Sequence, residues 1–181
     1  MSKILVVANQ KGGVGKTTTA VNLSASLAAT KRKVLMVDLD PQGNATMGCG
    51  IDKHDLEQSL YEVLTSNCDI KEAIVSAEAA GFDVLPTNSD LTAAEVELMD
   101  LPNRETRLRS ALQQVSANYD YIIIDCPPSL SMLTVNAMVA AHGVLIPMQC
   151  EYYALEGLSA LMRTIEKIKS NLNPELEIEG I

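Results

Sequence analysis

The residues with the most evident chemical purpose stand near the start of the chain, in Gln10-Lys11-Gly12-Gly13-Val14-Gly15-Lys16-Thr17-Thr18. Glycines let backbone N–H groups curl inward into a concave anion site. A helix opening at Lys16 adds its N-terminal N–H groups and the positive end of its dipole. Lys16 offers a point charge to β- and γ-phosphates, and the Thr17 hydroxyl can ligate Mg²⁺. The stretch Lys11, Gly12, Gly13, Val14, Gly15, Lys16, Thr17 and Thr18 therefore reads as a phosphate-binding loop. It departs from the common G-x-x-x-x-G-K-[ST] pattern at one position. Gln10 stands where the first glycine is expected, and a second lysine, Lys11, precedes the double glycine.

Three carboxylates close apolar runs elsewhere. Asp38 and Asp40 follow Val34-Leu35-Met36-Val37, and Asp125 follows Tyr121-Ile122-Ile123-Ile124. Ligands of open parallel sheets bind at the C-terminal ends of strands, so all three are expected beside the loop. Asp125 ends an apolar strand in the layout that holds Mg²⁺, often through water, while Thr17 holds it directly. Asp38 either braces its loop or joins the metal shell, and the residues alone leave both open. Cys126-Pro127-Pro128 follows Asp125, and paired prolines make that segment a stiff unit able to shift as one.

The elements that position these groups read as alternating strands and helices. Ile4–Ala8, Val34–Val37, Phe82–Pro86, Tyr121–Asp125, Gly143–Pro147 and Leu176–Ile181 are expected strands. Helices are expected over Lys16–Ala29, Leu56–Leu64, Ile70–Ala80, from about Asp90 with a Thr92/Glu95 capping box, after a cap at Asn103, over Thr134–Ala141 and over Ala154–Lys169. The last of these is amphipathic and is expected to pack on the sheet. The pattern predicts an α/β fold, a doubly wound and mostly parallel sheet in a single domain over residues 1–181. The sequence stops at Gly180-Ile181, within an expected strand, so a further C-terminal segment is expected.

With 181 residues, 47% hydrophobic and 20% charged, the chain suits one globular core, aliphatic because aromatics are only 3%. A net charge of −9 disfavours direct DNA binding, and Lys31-Arg32-Lys33 reads as a solvated helix end. Cys49, Cys68, Cys126 and Cys150 form no C-x-x-C pair, which points to reduced thiols. Met1-Ser2-Lys3 leads straight into a strand without a signal peptide, and no apolar run reaches the length of a membrane span; a cytoplasmic protein is expected.

Lys11-Gly12-Gly13-Val14-Gly15-Lys16-Thr17-Thr18 resembles the deviant Walker A box of the MinD/ParA family of P-loop ATPases. Asp38-Leu39-Asp40-Pro41-Gln42 resembles that family's switch I, and Asp125-Cys126-Pro127-Pro128 its switch II. Two further stretches, Asp40-Pro41-Gln42-Gly43-Asn44-Ala45 and Cys150-Glu151-Tyr152-Tyr153-Ala154-Leu155-Glu156-Gly157-Leu158, resemble the chromosomal ParA/Soj branch. The resemblance implies a P-loop NTPase-like fold, ATP and Mg²⁺ as cofactors, and catalytic roles for Lys11, Lys16 and Asp40. Asp40 would activate the attacking water, and Lys11 would reach the phosphates bound by the partner copy, with Gly12 at the dimer contact. It further implies an ATP-bound homodimer, a ParB-type partner, a location on the bacterial nucleoid, and non-specific DNA bound through a C-terminal segment. Membrane contact is not expected on this reading.

Three alternatives carry distinct signatures. A MinD-like membrane-cycling ATPase needs an amphipathic helix with basic and apolar faces. An iron–sulfur carrier needs cysteines at a dimer interface, for which Cys126 is the candidate. A dethiobiotin-synthetase-like enzyme would share the loop but hydrolyse ATP only with its own substrate.

Overall fold

The computed structural model describes residues 2–150 and 154–181. Glu151, Tyr152 and Tyr153, part of the tyrosine-containing stretch above, lie outside the described residues. Strands β1 (Lys3–Val7), β2 (Val34–Asp38), β3 (Val75–Ala77), β4 (Phe82–Leu85), β5 (Tyr121–Asp125), β6 (Gly143–Leu145) and β7 (Glu177–Gly180) form one sheet. Its order is β3-β4-β2-β5-β1-β6-β7, and only the edge pair β3–β4 is antiparallel.

The central strands are apolar throughout because both faces are covered. Ile4, Val6, Leu35, Val37, Ile122 and Ile124 point to one face, and Leu5, Val7, Val34, Met36 and Ile123 to the other. The second face carries α1 (Lys16–Ala29) and α2 (Asn44–Gly48) through Ala20 and Ala45. The first carries α3 (Leu60–Thr65), α4 (Ile70–Ala73), α5 (Leu91–Asp100), α6 (Arg107–Gln113), α7 (Met132–Ala140) and α8 (Ala154–Asn171). Helices on both faces of a mostly parallel sheet make the fold doubly wound. Leu161, Ile165 and Ile168 of α8 are buried in this core, so its apolar stripe is a packing face.

Several expected elements differ. The expected helix Ile70–Ala80 is α4 followed by β3, because Ile74 and Val75 turn extended and Gly81, at φ 78, reverses the chain into β4. The Leu56–Leu64 helix starts only at Leu60, after a capping box of Ser59 and Glu62. Thr92 and Glu95 lie inside α5, whose start at Asp90 has no side-chain cap, so their matching spacing forms no box. Asn103 does not cap α6. It is left-handed at φ 54, and α6 begins after Thr106. The Leu108 N–H of α6 donates instead to Asn136 Oδ1 of α7, at 3.2 Å.

Candidate functional site

The loop after β1 meets the demands placed on it. Gly13 (φ 72) and Gly15 (φ 91) are left-handed, and no heavy atom lies within 4 Å of a hypothetical Cβ on either. Conformation rather than space requires glycine there. The Thr19 N–H donates to the Gly15 carbonyl at 2.8 Å, starting α1. The first N–H groups of α1 thus have no partner within the helix and open toward the loop. Lys16 is buried, and its Nζ donates to the Lys11 carbonyl at 2.9 Å. Burial lowers its pKa, against the opposing pull of Asp125, Asp40 and Cys126.

Sheet register brings the carboxylates together. Asp38 and Asp125 are paired positions at the ends of β2 and β5, and Val7 pairs with Asp125 at the end of β1. Asp38 braces its loop, one of the two roles open from sequence. Its Oδ2 accepts from the Thr46 N–H and hydroxyl, both at 2.7 Å, and its Oδ1 from the Asp40 N–H at 3.2 Å. Burial raises it to about 6 despite those bonds. Asp40 Oδ1 accepts from the Gln42 N–H at 3.0 Å, and the Gly43 N–H donates to the Asp40 carbonyl at 2.8 Å, forming a tight turn.

Asp125 has no exposed surface, and neither carboxylate oxygen has a hydrogen-bond partner among the described residues. Burial pushes it up to about 7, with Asp38 and Asp40 adding repulsion. The neighbouring Thr17 hydroxyl and the Lys16 ammonium both pull it back toward the charged form. A buried carboxylate left unpaired costs at least ~1–3 kcal/mol, so its lone pairs are available to a cation. With Thr17 it forms a donor set that fits Mg²⁺, which takes few protein oxygens and keeps waters. Among the described residues, no group of three or more His, Cys, Asp or Glu is arranged to hold a metal. Cys126 is buried in the core beside Asp125 and presents no sulfur to a surface.

A cavity of about 620 Å³ lies over the loop. Gly12, Gly13, Gly15, Lys16, Thr17 and Thr18 line one side; Asp40, Pro41, Gln42, Asn44, Thr92 and Pro128 complete it. Pro128 brings the proline segment after β5 to the same rim. Three supports were not apparent from sequence. Asn9 Nδ2 donates to the Pro147 carbonyl at 2.8 Å and its Oδ1 accepts from the Lys11 N–H at 3.0 Å, tying the loop to the end of β6. Gln149 Nε2 donates to the Gly13 carbonyl at 3.2 Å. The Thr46 hydroxyl links Asp38 to the Thr87 N–H, 3.1 Å away. Only the strand-end position of Asn9 was a signal; the other partners are remote in sequence. No helix among the described residues is long and apolar enough to cross a membrane.

Comparison with known proteins agrees with this geometry. The sequence matches the family AAA_31, described as an AAA domain, over residues 2–178. It is 54% identical to the sporulation initiation inhibitor protein Soj of Bacillus subtilis, over 100% of this chain and 72% of Soj. It is 56% identical to the chromosome partitioning protein ParA of Myxococcus xanthus, over 100% of this chain and 64% of that protein. Among solved structures, cobyrinic acid a,c-diamide synthase from Mycobacterium smegmatis with bound ADP and magnesium superposes with a TM-score of 0.95. That similarity covers 98% of this chain and 72% of the other, at 44% identity.

Proposed function

The chain belongs to the AAA-domain family of the ParA and Soj chromosome-partitioning proteins, and from that premise we propose that it is a Mg-ATP-dependent ATPase switch of bacterial chromosome or plasmid partitioning. The observation that carries this reading is the buried Lys16 ammonium and the unpartnered Asp125 carboxylate beside one glycine loop. The ADP and magnesium in the Mycobacterium smegmatis structure support ATP and Mg²⁺ as the cofactors.

Each residue has a role in this reading. The N–H groups of the Gly12–Thr18 loop and Lys16 bind the β- and γ-phosphates. Thr17 and Asp125 would hold Mg²⁺, which when bound would supply charge neutralisation of the phosphates. Asp40 keeps its Oδ1 on the Gln42 N–H and uses Oδ2 to orient the attacking water. Lys11 of a second copy adds a cation when two loops face each other, with Gly12 at the contact. A trans lysine contributes less than the ~10³–10⁵ of an arginine finger, lacking its planar fork. ATP then holds two copies together, and hydrolysis releases them.

A ParB-type protein and non-specific DNA are the partners in this reading, in the cytoplasm on the nucleoid. With a net charge of −9, DNA contact requires a local basic patch. Mg-ATP binding and phosphate release by the wild type, Lys16→Ala and Asp40→Ala test the reading. The wild type hydrolyses ATP, Lys16→Ala loses Mg-ATP binding, and Asp40→Ala binds ATP but turns it over slowly. Wild-type binding by Lys16→Ala would remove the loop assignment, and wild-type turnover by Asp40→Ala would remove its role with water. A second reading, a small-molecule synthase, draws on the name of the Mycobacterium smegmatis structure. It predicts hydrolysis only when a carboxylate substrate and an amine donor are supplied.

A further inference from the structure

Asn9 stands where the chain leaves the sheet for the phosphate loop. The Ala8 N–H still makes a ladder bond to the Leu145 carbonyl of β6, at 3.0 Å. In a parallel ladder the next donor on that edge comes two residues later, which would bring Gln10 to the Pro147 carbonyl. The Asn9 side chain takes that place: its Nδ2 donates to the Pro147 carbonyl at 2.8 Å. The backbone can then turn away at Gln10 while the chain stays tied to β6. Only 6% of Asn9 is exposed, so the bond is made away from water, where it is electrostatically stronger.

The other end of the same amide fixes Lys11. Asn9 Oδ1 accepts from the Lys11 N–H at 3.0 Å, the short loop of an Asx turn. Both ends of the amide are in use, and a flipped amide would lose both bonds. The Lys11 carbonyl is held in turn by Lys16 Nζ, at 2.9 Å. These two anchors differ in permanence. Lys16 is assigned to the β- and γ-phosphates, and an ammonium that turns to them leaves the Lys11 carbonyl. The Asn9 bond uses no phosphate-binding group and can outlast that change. Gly12 and Gly13 follow directly, so without Asn9 the direction of Lys11 would fall to the most permissive part of the backbone.

We infer that Asn9 is a positioning residue for Lys11: it sets the backbone from which that lysine reaches the nucleotide of a second copy, and so governs nucleotide-dependent pairing rather than nucleotide binding. This role rests on the proposed function, which gives Lys11 its place across the dimer. Within one copy, phosphate is bound by Lys16 and by N–H groups from Gly12 onward, and Asn9 is bonded to none of them. A displaced Lys11 therefore spares that half of the site and misses the partner's phosphates. Misplacement of a charge by roughly 1 Å costs on the order of 10²-fold in rate, and a change of direction at the Lys11 backbone is carried outward along the whole side chain. The residue type is specified too. Aspartate would keep the acceptor but set an anion against the Pro147 carbonyl. Serine can accept from the N–H two residues on, as in an ST turn, but is too short for Pro147. Alanine does neither.

The test combines sedimentation velocity with Mg-ATP in an Asp40→Ala background, calorimetric titration with Mg-ATP, and hydrogen exchange of the Lys11 amide. Asn9→Ala should weaken pairing about tenfold or more, while its Mg-ATP affinity stays within about threefold of that of Lys11→Ala, a comparison that removes the contribution of pairing itself. The Lys11 amide should be protected in the parent with and without Mg-ATP, and should exchange about tenfold faster in Asn9→Ala. Asn9→Ser should restore that protection and most of the pairing. Asn9→Ala/Lys11→Ala should pair no more weakly than Lys11→Ala alone, because both changes act through one group. Ser59→Ala, which loosens a remote helix cap, should pair as the parent does and so controls for stability. Equal pairing by Asn9→Ala, an additive loss in the double variant, or a Lys11 amide unprotected in the parent would each overturn the role. So would a loss of Mg-ATP affinity as large as the loss of pairing, which would make Asn9 a support of the whole loop. Pairing not recovered by Asn9→Ser would assign the effect to the Pro147 tie instead. A parent that never pairs with Mg-ATP removes the proposed function and this role with it, whereas a parent and Asn9→Ala that pair equally remove this role alone.

Discussion

Replacing Asp125 by Asn should make the nucleotide-free protein more stable at alkaline pH while abolishing Mg-dependent nucleotide binding. Asp125 is fully buried, has no hydrogen-bond partner among the described residues and is pushed from an ordinary 3.8 to about 7. The folded chain therefore keeps the proton over a range where the unfolded chain has released it. Its stability falls as pH rises from about 4 to about 7 and stays reduced above that. The interval corresponds to about 4 kcal/mol at 1.36 kcal/mol per pH unit. That is an upper bound, because Lys16 and the Thr17 hydroxyl adjust in the variant. An amide of the same shape carries no charge, so Asp125→Asn should gain about 2–4 kcal/mol at pH 8 and almost nothing at pH 4. Urea denaturation at both pH values, with a chelator and no nucleotide, reads this directly. A variant less stable than wild type at pH 8, or a gain independent of pH, would refute the claim that Asp125 is held charged at a cost.

Other perturbations separate bracing from chemistry. Thr46→Val keeps the side-chain shape but removes a donor to Asp38 and an acceptor for Thr87, so unfolding free energy should fall by about 2–4 kcal/mol in urea titrations. Ser59→Ala removes the capping box of α3 and should cost about 1 kcal/mol, with unchanged nucleotide affinity by calorimetry. Lys31→Gly relieves a left-handed residue (φ 65) after α1 and should raise stability by about 0.5–1 kcal/mol in the same titrations.

The parts of this protein legible in its sequence are those set by local chemistry. Strand, glycine turn and helix around Lys16 need only apolar runs and residues tolerant of positive φ, all within about 30 positions. Apolar runs also marked β2 and β5, and their register then placed Asp38 beside Asp125. The less legible parts depend on partners distant in the chain. Ile70–Ala80 has helical composition, but pairing with β4 overrides propensity at Val75–Ala77. Thr92/Glu95 and Ser59/Glu62 share one spacing, and only the second pair stands at a helix start. The bracing of Asp38 required α2, a short helix whose sequence, Asn44–Gly48, carries no periodic signal. The clamps from Asn9 and Gln149 join residues more than a hundred positions apart.

The central claim is a nucleotide-dependent switch built on Lys11, Lys16 and Asp40, and sedimentation velocity of Asp40→Ala tests it most directly. The account predicts a dimer with Mg-ATP, a monomer with Mg-ADP or no nucleotide, and loss of the dimer when Lys11→Ala is added. A monomer in every nucleotide state, or a dimer indifferent to both nucleotide and Lys11, would contradict it.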